Sequence, residues 1–551
     1  MASLSAYTDV LGTRKAAHLL RRAAFGATKK EIDAWADKTP QQAIAELLES
    51  SNSIPSPPKD PATGNAWVNP KPSEANSGGD DLKQQTKAWW ITQMHTSPLS
   101  SQEKLTYFLH THFTTIESRI GHAPAIYYQN ALFRYYALGN FKELSKKICI
   151  DNAMLVFLDG KLNEVGRPNE NFAREFFELY SIGKGPQRGP NDYTHYTEDD
   201  IVEASKVFSG FGVDEDYINM DTESGIAIGK VKTNGAGLAA RHDASSKTFS
   251  AAFQNTVISP SEVIDGKATE QATLNEIDQL VEMVFAQEET AKHICRKLYR
   301  FFVYYDLTDE IEQDIIIPLA DTFRSNNYEL KPVLEQLFTS QHFYDMDNTL
   351  NSDDNIGAII KSPLELVVGI LRFFKVDFPD ETSLDNYYEA YFEGILKEMQ
   401  EQGLDLYEPF EVAGYAAYHQ SPVFHRNWIS ANYLAQRYKY TENLIRGFYN
   451  DNDQLLCKLD VMEYVNDTNN ISDPSNPELM VRELVDYLLP QEITEERFSY
   501  FMNTVLLDNL SIVNWKSEWL LYKSTGDDSN VRGQVEKLFM AIMQSPEYQL
   551  S

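Results

Sequence analysis

Apolar residues recur along this chain mostly at helical spacing. Between Thr13 and Phe25, Ala16, Ala17, Leu19, Leu20, Ala23 and Ala24 follow a three-to-four residue repeat, the mark of an amphipathic helix. Gly26 follows as a stop, and Thr28-Lys-Lys-Glu31 has the spacing of a capping box for the next helix. The periodicity continues through Trp89–Met94 and Glu103–Phe113. Three helices then run between Ala125 and Gly183, with joints at Asp159-Gly160 and Gly166-Arg-Pro168. It returns at Leu274–Phe285, Thr290–Tyr304, Asp309–Arg324, Lys331–Thr339 and Pro363–Phe374, and again from Ala431 onward.

Two stretches break the rhythm. Residues 52–81 hold Pro55, Pro57, Pro58, Pro61, Pro70, Pro72, Gly78 and Gly79, which predicts a long loop. Residues 213–260 mix Gly225, Gly229, Gly235 and Gly237 with β-friendly runs such as Ile226-Ala-Ile228, which predicts a small hairpin or irregular insertion. The acidic stretch 379–406 reads as helical in part, and 408–428 as aromatic and rich in turns. The predicted fold is therefore mainly α: one large multi-helix globular body with a small β or irregular insertion. Its segments are N-terminal helices (1–51), a Pro/Gly-rich loop (52–81), a helical core (82–212), the insertion (213–260), the continued core (261–437) and a C-terminal helical region (438–551). One internal echo pairs 333–344 with 537–548, each an amphipathic helix with a Ser-x-x-aromatic end. Two copies do not make a solenoid, so a recurring helix-end motif is the reading.

Composition narrows the function. Hydrophobic residues at 42%, with 30 Tyr and 29 Phe among 551 residues, supply a large core and exclude disorder as the dominant state. Lys and Arg total 49 against 81 Asp and Glu, a formal charge of −32. That field repels phosphate backbones and anionic membranes, so no nucleic acid is expected as partner, and cationic partners are favoured. Cys149, Cys295 and Cys457 are far apart and form no C-x-x-C spacing, so buried free thiols are expected. No signal-peptide pattern and no apolar run long enough for a membrane span occur. The expectation is a cytoplasmic protein, an exported form with its leader removed being the alternative.

Several segments together resemble a large bacterial family labelled as a domain of unknown function, number 1800 in its series. They are His18-Leu-Leu-Arg-Arg-Ala-Ala-Phe-Gly-Ala-Thr28, Phe108-Leu-His-Thr-His-Phe-Thr114 and Asn169-Glu-Asn-Phe-Ala-Arg-Glu-Phe-Phe-Glu-Leu-Tyr180. Tyr196-Thr-Glu-Asp-Asp-Ile201, His242-Asp243 with Lys247-Thr-Phe249, Arg296-Lys-Leu-Tyr-Arg-Phe301 and Lys361-Ser-Pro-Leu-Glu365 follow in the family's order. The resemblance spans about residues 14–437. It departs at Glu408-Pro-Phe-Glu-Val-Ala-Gly-Tyr415, where the family commonly has Asp-Pro-Pro-Asn-Val-Ala-Gly-Trp. It implies no activity, but it does imply a sulfatase-like partner protein.

Three clusters are candidates for chemistry. On the helix read at 169–181, Asn169 opens the motif, and Glu170, Arg174 and Glu178 share a face within about 80°. Glu175 and Glu178, three apart, can offer oxygens to one cation, or else Arg174 sits in an ion-pair ladder. His110 and His112, two apart, point away from each other on a regular helix, so one is expected to face Glu175 and Glu178 while the other packs. Together, His110, His112, Glu175 and Glu178 form a candidate site for a divalent metal ion: iron, manganese or zinc. In the glycine-rich insertion, His242, Asp243 and Lys247 are candidate catalytic residues, as base, orienter or ligands. The basic island Arg296–Arg300 is expected to pair with the acidic helix. The aromatic stretch Tyr415–Trp428 is either a pocket or core.

Two functions follow from these clusters. The first is a metal-dependent enzyme, a hydrolase or oxidoreductase, in which the ion activates water or oxygen within the helical core. The alternative is a non-catalytic binding or assembly protein working through an acidic, aromatic-rich surface.

Overall fold

The computed structural model describes residues 2–49, 54–68, 80–189, 192–347 and 354–551. The N-terminal pattern folds as read. The Gly12–Ala23 helix buries Ala16, Ala17, Leu19, Leu20 and Ala23, and the chain then turns at Gly26, whose φ of +84° a Cβ would strain. The capping box closes in both directions: the Glu31 amide donates to Thr28 Oγ1 at 3.2 Å and the Thr28 amide to Glu31 Oε2 at 2.8 Å.

Four helices make the centre: Asp80–Thr96, Gln102–His112, Ala123–Tyr136 and Pro363–Phe374. The last buries Leu364, Leu366, Val367, Val368, Ile370 and Leu371, apolar on nearly every face because helices pack all around it. Buried apolar side chains from Ala2 to Tyr548 form one contiguous cluster, so the mainly α body is a single packed mass. The insertion is built from short antiparallel pairs, Phe211–Gly212 with Lys230–Val231 and Lys247–Thr248 with Val257–Ile258. A third pair, Val263–Ile264 with Lys267–Ala268, carries it past the expected limit at 260.

Of the loop expected at 52–81, residues 54–68 are irregular and the Asp80–Thr96 helix begins inside its end; residues 52–53 and 69–79 lie outside the described residues. The internal echo is real at the helix ends. The Leu330–Phe338 and Arg532–Met543 helices are each followed by a short 3-10 turn, and Ser340 and Ser545 accept from the Phe343 and Tyr548 amides. Among the described residues, no helix is long and apolar enough to cross a membrane.

Candidate functional site

The acidic motif does not form one regular helix. An α segment, Asn171–Glu175, passes directly into a π turn, Phe176–Tyr180. A π turn closes i→i+5 bonds and so carries an extra residue per turn, which changes the angle between side chains on either side of Glu175 from that of a regular helix. The expected Glu170–Arg174–Glu178 ladder is accordingly replaced by another. Arg174 grips Glu198 with two bonds of 2.7 and 2.8 Å and Glu170 at 3.3 Å, while Glu178 pairs with Lys184 at 3.2 Å. Asn169 accepts from the Asn171 amide and acts as a local turn residue. Glu175 is half-buried and makes no hydrogen bond among the described residues, and burial, with the Glu178 charge beside it, lifts its carboxyl to about 7.

His110 and His112 point apart from the same helix, as their spacing requires. His110 is fully buried among Trp90, Tyr107, Tyr407 and Tyr415, and neither ring nitrogen has a partner among the described residues. Burial holds it neutral, near 3. His112 does face the motif segment, but its Nε2 meets the backbone carbonyl of Tyr180 at 3.0 Å rather than a carboxylate. Among the described residues, no group of three or more His, Cys, Asp or Glu side chains is arranged to hold a metal ion. The four proposed ligands are therefore not brought together as one set.

His242 and Lys247 do converge, on a residue the sequence reading missed. Lys247 Nζ donates to both oxygens of Glu276, at 2.8 and 2.7 Å, and His242 Nε2 is in close contact with the same carboxylate. Asp243 is not part of the set: its side chain accepts from Ser245, and only its backbone carbonyl meets Lys247. The His242, Lys247 and Glu276 side chains are all 0% exposed, so this triad is sealed and ties the insertion to the Glu270–Phe285 helix. Glu276 was legible as a lone carboxylate on the apolar stripe of Ala272 and Leu280, four residues either side.

The basic island behaves differently from the expectation as well. Arg296 pairs with Glu289 and Glu312, and only Lys297 reaches the motif, donating to Leu179 O at 2.7 Å. The aromatic stretch is mostly core, with Tyr415, Phe424 and Trp428 buried. At the family departure, Glu408 accepts from the Ser118 amide and hydroxyl, and so pins the 117–120 helix.

Two arrangements absent from the sequence reading remain. The first is a groove of about 580 Å³ at the C-terminal ends of the Asp80–Thr96 and Pro363–Phe374 helices. Phe378 stands half-buried on its wall, against His95 and Tyr391. Tyr387 and Thr92 share a 2.5 Å hydroxyl bond below, and His95 Nδ1 lies 3.2 Å from the Tyr391 hydroxyl. Burial and neighbouring Arg372 hold His95 near 4, so it is neutral at physiological pH. Glu31, Asp377, Asp380 and Glu381 also line the groove. Arg372 Nη1 is spent on the carbonyls of Met94, His95 and Ser97, and its Nε on Gly26 O.

The second is a deep polar centre where the His18–Thr28 and Lys361–Glu365 segments meet the last turn of the chain. Lys104 pairs with Glu365, Arg22 donates to the Asn355 carbonyl at 2.7 Å, and Arg437 to Gln549 at 2.8 Å. Beside it runs a relay in which the Tyr299 hydroxyl lies 2.9 Å from His342 Nε2, and His342 Nδ1 lies 2.9 Å from Asp347.

A family model described as a protein of unknown function, DUF1800, matches residues 18–550. The match carries the likeness through the C-terminal helices, beyond the limit near 437 drawn from motifs. No curated protein and no solved structure matches.

Proposed function

The chain belongs to the DUF1800 family of proteins of unknown function, and we propose that it is a binding protein for an organic cation taken up in the groove. The observation that carries this reading is the sign of the groove's charge. Glu31, Asp377, Asp380 and Glu381 line it against Arg372 and Lys375, with Lys59 paired to Glu381, so carboxylates outnumber the basic groups there. Two helix C-termini end there, and their negative dipole ends outnumber the one N-terminus, that of the Lys29–Ala36 helix, whose Thr28 cap and Glu31 also line the groove. A neutral His95 contributes nothing against it.

Size and surface agree with that sign. A volume near 580 Å³ is in the range of small-molecule sites, about 300–1,000 Å³. The half-buried Phe378 ring lines the groove, and an aromatic ring met face-on by a cation contributes about 0.5–2 kcal/mol. A net charge of −32 steers cations toward the whole surface. The metal-enzyme reading draws no such support, because His112 and Glu178 are already bonded elsewhere.

Calorimetric titration with tetramethylammonium, for wild type beside Phe378→Ala, tests the aromatic part. Saturable binding that weakens about tenfold in the variant, or about 1.4 kcal/mol, supports the reading. No binding to wild type, or equal binding to both proteins, contradicts it.

A further inference from the structure

The deep polar centre holds five basic side chains around Glu365, with Asp345 a second carboxylate neighbour of Arg22. Arg21, Arg22, Lys104, Lys361 and Arg437 are electrostatic neighbours of one another or of Glu365. Lys104 takes Glu365 as its partner, and Glu365 also closes the Ser362 cap, with the Ser362 amide donating at 2.7 Å. Its charge is thereby committed. Arg21, Arg22, Lys361 and Arg437 form no ion pair among the described residues; they donate to carbonyls or to an amide. Lys361 Nζ reaches Tyr548 O at 2.6 Å, Arg21 Nη2 reaches Tyr487 O at 2.5 Å, and Arg22 Nη1 reaches Val303 O at 3.2 Å. Arg437 Nη2 reaches Lys361 O at 2.8 Å.

Donor capacity is left over as well. Arg21 Nη1, Arg22 Nε and Arg437 Nη1 are all buried with no partner among the described residues. Arg22 is 2% exposed, Arg437 0% and Lys361 7%, while Arg21 is half-buried with its Nη1 enclosed. Burying an uncompensated charge costs several kcal/mol. Burial and its cationic neighbours push Lys361 well down, and an anion beside it would act in the opposite direction and restore its proton. The guanidinium groups keep theirs: even lowered to about 10, Arg21, Arg22 and Arg437 stay charged at neutral pH. The centre therefore holds more guanidinium charge than Glu365 and Asp345 offset, in an otherwise acidic protein.

The space for one is present. A cavity of about 40 Å³ lies beside Lys361, Arg21 and Glu365, with Tyr548 against it and Phe25 and Phe373 on its apolar side. At about 10–15 Å³ per water-sized centre, its roughly three or four centres are fewer than the heavy atoms of a phosphate. We propose that this cavity is a binding site for a compact monoanion, a halide or a carboxylate head, held by Lys361 and the free Nη1 of Arg21. The site is separate from the groove and does not depend on the function proposed for it.

The test is thermal unfolding of the full chain in gluconate buffer, titrated with formate, chloride or phosphate at constant ionic strength. Ligand that binds only the folded state raises the midpoint saturably. Formate and chloride are expected to do so, phosphate no more than gluconate, and Lys361→Met to raise the half-saturating concentration at least about tenfold. No saturable rise in wild type, an equal rise for all three anions, or an unchanged response in Lys361→Met would each overturn the proposal. If that variant does not fold, chlorine NMR line broadening on wild type decides: excess broadening displaced by formate supports the site, and none refutes it.

Discussion

Replacing Glu276 by Gln should unfold this protein more readily than almost any other single polar change. Lys247 has a side chain that is 0% exposed and three hydrogen bonds, two of them to Glu276 at 2.8 and 2.7 Å and one to Asp243 O at 2.6 Å. The Gln side chain keeps the volume but removes the negative charge, and turns one acceptor into a donor aimed at an ammonium or at His242. Breaking a buried pair on one side costs about 3–5 kcal/mol, and that is the loss expected near pH 6.5. The pH dependence has a definite sign. Burial already lowers the Lys247 pKa from 10.5 while Glu276 raises it, so the substitution lowers it further. The unfolded chain then binds a proton that the folded one releases, so stability is lowest below the folded pKa and recovers as pH rises toward 10.5. Urea unfolding followed by tryptophan fluorescence at pH 6.5 and 9.5 measures both effects. Removing both charges, as Glu276→Leu with Lys247→Met, should recover most of the loss. A single-variant loss below about 1 kcal/mol, or one that grows with pH, would refute the reasoning.

Other consequences follow from the same accounting of buried groups. Glu175→Gln removes a half-buried carboxyl whose pKa stands at about 7, raised by burial and then by Glu178. Because the folded form holds the proton more tightly, wild type loses stability as pH rises from the ordinary 4.5 through 7. The variant should therefore be more stable at pH 8, by about 1 kcal/mol after solvent screening, with the gap closing by pH 4.5; equal midpoints at pH 8 would count against this. His110→Phe replaces two unpartnered ring nitrogens in an aromatic cage and should be neutral or stabilising in thermal unfolding. A loss above about 2 kcal/mol would mean that His110 holds a bound group. Cys149, Cys295 and Cys457 are buried free thiols, and burial pushes each pKa up. The native protein should resist a thiol reagent that titrates all three after denaturation, and fast native reaction would contradict their burial.

The elements were more legible in the sequence than their partnerships. Helical spacing, the Thr28–Glu31 box and the glycine-rich insertion all act through neighbours a few residues apart, which local pattern records. The helix-end echo was legible for the same reason, since Ser340 and Ser545 each cap their own turn. The π turn at Phe176–Tyr180 left no local mark, yet it redirected Glu178 from Arg174 to Lys184. Glu198 lies 24 residues from Arg174 and Glu276 lies 34 from His242, so their pairings depend on tertiary packing. The groove draws on residues from Thr28 to Tyr391, and no segment of the chain carries its outline.

The most direct measurement of the proposed function is a spermidine titration of wild type beside Asp377→Lys, at low and near-physiological salt. Asp377 is an exposed residue lining the groove, so reversing its charge leaves the core untouched. The account predicts one saturable site in wild type, weakened as salt shortens the Debye length to about 8 Å and lost in the variant. Diffuse binding with many equivalents per chain, or a single site indifferent to Asp377→Lys, would contradict it.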